Sequence, residues 1–113
     1  MTGQVTSERM GRAELIRLAG DLDVATAPTM GREIVSCVRG AGAVLLDLTA
    51  VAFLDSAGVR LLDALVADLD RLGTPIRLVV GERGPARMTL QLCAFRDDLL
   101  AVDVAEAADG LTG

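Results

Sequence analysis

The sequence contains no histidine, no lysine, no tyrosine and no tryptophan, and each absence removes a class of chemistry. Without imidazole there is no Ser-His-Asp triad, no histidine general base and no histidine-bearing metal centre. Without lysine there is no P-loop, no Schiff base and no kinase-type ATP lysine. Aromatic residues are reduced to Phe53 and Phe95, so a core has to be assembled from Leu, Val, Ile, Ala and Met. The two cysteines, Cys37 and Cys93, are far apart and in no CxxC spacing. Each falls in an apolar helical pattern, which predicts buried, inert thiols. No apolar run approaches membrane-spanning length, and the stretch with Thr2, Gln4 and Ser7 carries no apolar leader segment. A soluble, cytoplasmic protein with neither metal nor cofactor is expected.

What remains is enough for one domain, residues 1–113, with 51% apolar residues to fill a core without disulfides. Sixteen acidic residues against eleven arginines leave a formal charge of −5, which argues against a nucleic-acid partner, because phosphate binding needs clustered cations. The arginine-only basic set, with abundant Ala, Gly, Val and Asp, points to a GC-rich bacterial genome.

Periodicity divides the chain into alternating elements. Residues 4–7 form a first strand, turning through Arg9–Arg12, and residues 13–19 alternate as a second strand ending at Gly20. Thr26 stands where a helix N-cap belongs, Pro28 fits the first turn, and Met30, Ile34, Cys37 and Val38 make an apolar face that stops near Gly40 or Gly42. The run 43–48 is nearly all apolar, as a central strand covered on both faces requires. The segment 49–55 is too apolar for an ordinary loop. Gly58, Leu61, Leu62, Leu65, Val66, Leu69 and Leu72 then repeat at three and four, the clearest helix in the chain, ended by Gly73 and Pro75. A strand at 76–80, a helix opening at Gly84-Pro85 and running through Met88, Leu92 and Phe95, a short strand at 99–102 and a frayed helix from 103 complete the order.

This alternation implies an α/β fold with a mostly parallel sheet of four or five strands, an antiparallel strand at its amino-terminal edge, and three or four helices. Parallel strands put their carboxyl ends on one edge, where α/β folds place their sites. The turns at 20–26, 49–56 and 81–84 are therefore expected to be neighbours.

The strongest local signal is Asp55-Ser56-Ala57-Gly58 at the start of the Leu-rich helix. Ser56 is read as the N-cap, at a helix end that offers free N–H groups and a positive dipole. A cap alone leaves unexplained the apolar approach Val51, Phe53 and Leu54, which is expected to pin the turn. It also leaves unexplained the acidic turn Gly20-Asp21-Leu22-Asp23 on the same edge. A carboxylate pair for acid–base work lacks a partner base, so no catalytic residue is assigned. Gly40-Ala41-Gly42 precedes a strand and reads as a helix stop, so it is no nucleotide loop. A receiver domain phosphorylated at Asp47 fails for want of lysine.

The string VAFLDSAGVRLL resembles the signature of STAS domains of the anti-sigma factor antagonist type, and RLAGDLDVATAP resembles the upstream motif of the same family, in the same order and spacing. The resemblance implies that Ser56 is the phosphoacceptor and that Asp55 and Gly58 shape its turn. Asp21, Asp23, Thr26, Asp55, Ala57 and Gly58 are then the partner-binding set. Asp21 replaces the commoner Glu, and Ala57 replaces a second Ser found in many members, leaving one acceptor. The partners implied are an anti-sigma factor with serine-kinase activity, which binds the unphosphorylated form and releases its sigma factor, and a PP2C-type phosphatase that reverses the modification. A STAS subunit of a lipid-transport or stress-signalling complex is the alternative; members of those groups often lack the phosphorylatable Ser.

Overall fold

A tight hairpin starts the chain. The computed structural model describes residues 3–112, and in it strand β1 (Gly3–Met10) pairs antiparallel with β2 (Ala13–Leu22) from Gly3↔Gly20 to Met10↔Ala13. Both strands are longer than their apolar patterns suggested. The extra length of β1 is held by charges across the pair: Arg9 meets Glu14 at 3.1 Å, and Arg17 meets Glu8. Only Gly11 and Arg12 remain for the turn, and Gly11 takes the left-handed conformation (φ 61°) that a two-residue hairpin turn needs.

The remaining strands are parallel. The five-stranded sheet has the order β1-β2-β3-β4-β5, with β3 at Ala43–Leu54, β4 at Ile76–Val79 and β5 at Leu100–Ala101. Helices α1 (Ala27–Val38), α2 (Ser56–Leu72) and α3 (Pro85–Leu92) bury Met30, Ile34, Leu62, Leu65, Leu69 and Leu90 against one face, which presents Ile16, Leu18, Leu46, Leu48 and Leu78. Helix α4 (Val104–Thr112) covers the other face with Ala107 over Leu15, Leu45, Val79 and Ala101. Residues 43–48 are buried throughout, as a strand covered on both faces should be. The expected α/β architecture, with one antiparallel edge strand, is the one observed.

Three readings need correction. Strand β3 does not stop at 48. It runs to Leu54 because β2 continues beside it as far as Leu22↔Leu54, whereas β4 pairs only with Val44–Asp47. Past Gly20 and Val51 the carboxyl ends of β2 and β3 therefore extend beyond the other described strands. Helix α3 ends at Leu92 and buries Ala86 and Leu90, leaving Met88 and Leu92 at 63% and 81% exposure; Phe95 is buried beyond the helix end. The cysteines are not both buried: Cys37 is half-buried on α1, and Cys93, the residue after α3, is exposed.

Helix α2 can lie against the end of β2 only because residue 58 has no side chain. A Cβ at Gly58 would fall 2.5 Å from both the Leu22 carbonyl oxygen and Leu54 Cδ1. Backbone is one of the two obstacles, so rotamer changes alone cannot relieve the clash. Gly58→Ala is expected to cost about 1–3 kcal/mol, as overpacking of a filled site does. Urea unfolding that gave an unchanged free energy would contradict this close approach.

Candidate functional site

The tip of the β2–β3 extension carries the site. After Leu54 the chain turns through Asp55 into α2, and after Leu22 it turns through Asp23 into α1. Backbone ties the two turns together, since the Asp55 N–H donates to the Leu22 carbonyl at 3.3 Å.

The helix cap is Asp55, one residue earlier than the sequence suggested. Asp55 has extended backbone, and its Oδ1 accepts from the N–H groups of Ala57 (2.9 Å) and Gly58 (3.1 Å). Its Oδ2 accepts from the Val24 N–H at 3.3 Å, thirty-one residues away in sequence. One carboxylate thus satisfies two donors that the start of α2 leaves open and fastens the neighbouring turn to it. Both Asp and Ser are good caps, and the chain uses the first of the adjacent pair.

Ser56 is consequently free of structural duty. It is the first residue of α2, it is exposed, and its hydroxyl takes no part in the side-chain hydrogen bonds among the described residues. The first turn of α2 contains no acidic residue. The hydroxyl stands at the positive end of a helix, where a dianionic group gains some dipole stabilisation.

The second turn is organised from within. Asp23 Oδ1 accepts from the N–H groups of Ala25 and Thr26, each at 3.0 Å. Thr26 Oγ1 accepts from the Asp23 N–H at 3.0 Å and donates to the Asp21 carbonyl at 2.7 Å. Thr26 stands at the cap position of α1 but makes no side-chain cap hydrogen bond; it is buried, and its hydroxyl closes the turn instead. Asp21 is half-buried on β2, Ala57 is half-buried, and Gly58 is buried under the turn. All seven residues singled out from the sequence fall on these two joined turns. The turn at 81–84 does not join them. A Cβ at Gly81 would lie 3.9 Å from Thr49 Cγ2, and Asp55 is six residues farther along, roughly 20 Å at strand rise.

One residue of the site escaped sequence reasoning. Phe53 does not pin the turn; Val51 and Leu54 are buried, but Phe53 pairs with Asp21 across β2–β3 and is 51% exposed. Val24, at the other turn, is 72% exposed. Two large apolar side chains are therefore exposed on the strand end and the turn beside Asp55. Alternation could not have flagged Phe53, because two register irregularities between β2 and β3 space the buried residues Leu48, Val51 and Leu54 three apart. Among the described residues there is no group of His, Cys, Asp and Glu able to hold a metal, and no helix long and apolar enough to cross a membrane.

Comparison with known proteins agrees with this architecture. The fold is similar to an anti-sigma factor antagonist from Mycobacterium paratuberculosis, with a TM-score of 0.87 and 23% identity over 99% of this chain and 96% of that one. It is also similar to the anti-sigma factor antagonist SpoIIAA in its unphosphorylated form, at 0.77 and 22% identity over 97% of both chains. The phosphorylated form of that Bacillus cell fate determinant gives 0.68 and 22% identity over 94% of this chain and 97% of that one. The profile of the STAS domain matches residues 4–107, nearly the whole length, and the chain belongs to the STAS domain family.

Proposed function

We propose that this protein is an anti-sigma factor antagonist that works by partner switching. The observation that carries the reading is an exposed, unengaged serine hydroxyl at the first position of α2, on a turn held by a different residue, Asp55. Solved structures of similar fold are described as anti-sigma factor antagonists, one of them in both phosphorylated and unphosphorylated forms. In its unmodified state the tip of β2–β3 docks on an anti-sigma factor with serine-kinase activity and displaces the sigma factor. Phe53 and Val24 supply apolar contact, and the turns bearing Asp21, Asp23 and Thr26 supply shape and charge.

The kinase transfers the γ-phosphoryl group of its own ATP to Ser56 Oγ. The hydroxyl proton leaves to a base on the kinase, and ADP departs. A PP2C-type phosphatase hydrolyses the ester and returns the hydroxyl with release of inorganic phosphate. This chain supplies the acceptor and its presentation; the chemistry belongs to the partners.

The phosphate adds about −1.5 to −2 charges. Within the free domain the α2 dipole offsets this by only about 0.3–1 kcal/mol, and the carboxylates of Asp23 and Asp55 oppose it. In a closed interface the same charge meets desolvation and like-charge costs of several kcal/mol. Each ~1.4 kcal/mol is tenfold in affinity, so binding is lost while the fold is kept.

The direct test is a pull-down of kinase-type anti-sigma factors with the wild-type chain and with Ser56→Asp, joined to phosphopeptide mapping of the kinase reaction. The wild type is expected to retain a partner, Ser56→Asp to lose it, and Ser56 to be the only modified residue. Equal retention by both, or modification at Ser36, Thr26 or Thr49 instead, would reject the assignment.

Phe53 offers an independent check. Phe53→Ser removes exposed apolar surface, so stability should change by less than about 0.5 kcal/mol, as for most surface substitutions. Partner affinity should fall by about tenfold or more, the effect of losing an aromatic anchor. Unchanged affinity would place the docking surface elsewhere.

A further inference from the structure

At the opposite end of the sheet from Ser56, a cavity of about 460 Å³ opens between the β1–β2 turn, the beginnings of β2 and β3, and helix α4. Its walls are mostly apolar, with Met10, Ala13, Ala43, Leu45, Pro75 and Leu111 contributing. The volume lies within the range of small-molecule sites, roughly 300–1,000 Å³, and the lining of small and flexible side chains suits a flexible apolar chain. One charge borders it: Arg12 lines the cavity, and its guanidinium is anchored by donation of Nη2 to the Gly42 carbonyl at 3.2 Å. That bond uses one of the five N–H donors of the group. None of the ion pairs among the described residues involves Arg12, although the chain carries sixteen carboxylates.

A positioned cation without a carboxylate partner, at the wall of an apolar cavity, selects for an amphiphilic anion. We propose that this cavity binds the acyl chain of a medium-chain carboxylic acid, with its carboxylate on Arg12. The acyl chain is taken between Leu45, Ala43 and Leu111, and the free guanidinium N–H groups donate to the carboxylate in a charge-assisted pair. The site lies at the amino ends of the strands, distinct from the Ser56 turns at their carboxyl ends, and its argument does not depend on how Ser56 is used.

The test is an NMR titration of the full chain with octanoate, 1-octanol and butyrate as probes. Octanoate is expected to shift the signals of Ala13, Ala43, Leu45, Ala108 and Leu111 while those of Asp55–Gly58 stay in place. Octanol, lacking the charge, and butyrate, lacking the chain, should each bind about tenfold more weakly. Arg12→Ala should weaken octanoate by about tenfold and leave octanol unchanged, the loss expected of one charge-assisted contact. Ala108→Leu, confirmed as folded by its thermal melt, fills part of the cavity and should abolish binding of both. The proposal is overturned if octanoate leaves the cavity signals unshifted, if its shifts map instead to Pro28, Gly31, Val35 and Leu61, which line a shallow groove between α1 and α2, or if Arg12→Ala binds it as wild type does.

Discussion

The carboxylate of Asp55 is the interaction on which the site depends. It accepts two N–H groups of α2 and one from the turn after β2, so a single side chain fixes where α2 begins and where the neighbouring turn lies. Substituting such a cap by alanine costs about 0.5–2 kcal/mol in general, and here the bond to Val24 adds a long-range tie. Because Asp55 does this, Ser56 need not. A residue that both capped the helix and accepted a phosphoryl group would couple modification to unfolding. Under the proposed function, the arrangement divides those two tasks between adjacent residues.

The sheet gives that tip its prominence. Strand β4 leaves β3 after Asp47, so the last part of β3 has only β2 beside it in the ladder. The ribbon still holds because Leu48, Val51 and Leu54 on one face are buried beneath the helices, and Gly58 lets α2 approach the backbone of Leu22. The opposite face is left with Phe53 in the open. Two register irregularities against β2 set the buried residues of this stretch at intervals of three and leave Phe53 outside that set. In the proposed function the exposed side is the one that the partner covers.

Much of this was legible in the sequence where one signal dominated. The stripe from Gly58 to Leu69 has no competing period, and the helix is where the stripe put it, although Leu72 is exposed in the final turn. The run 43–48 had to be covered twice, and it is. Parallel topology brought the turns after β2 and β3 together, as their hydrogen bonds record. Legibility failed where two readings were chemically equal. Asp55 and Ser56 are both good caps, and only the backbone geometry separates them. In a helix as short as α3, the pair Met88 and Leu92 and the pair Ala86 and Leu90 have the same spacing, and the sheet selected the smaller-bodied pair. Strand β3 ran on past 48 because its length is set by β2, a non-local pairing that no window along the chain contains.

The central claim is that modification of Ser56 acts on an interface and not on the fold. The measurement closest to it is the unfolding free energy, from urea denaturation, of the chain fully phosphorylated at Ser56 against the unmodified chain. With Asp55 holding the turn, the two values should agree within about 1 kcal/mol, the scale of a helix-dipole interaction at an exposed end. A loss of several kcal/mol, or a change in the denaturant dependence itself, would mean that the hydroxyl is part of the structure, and would contradict the account.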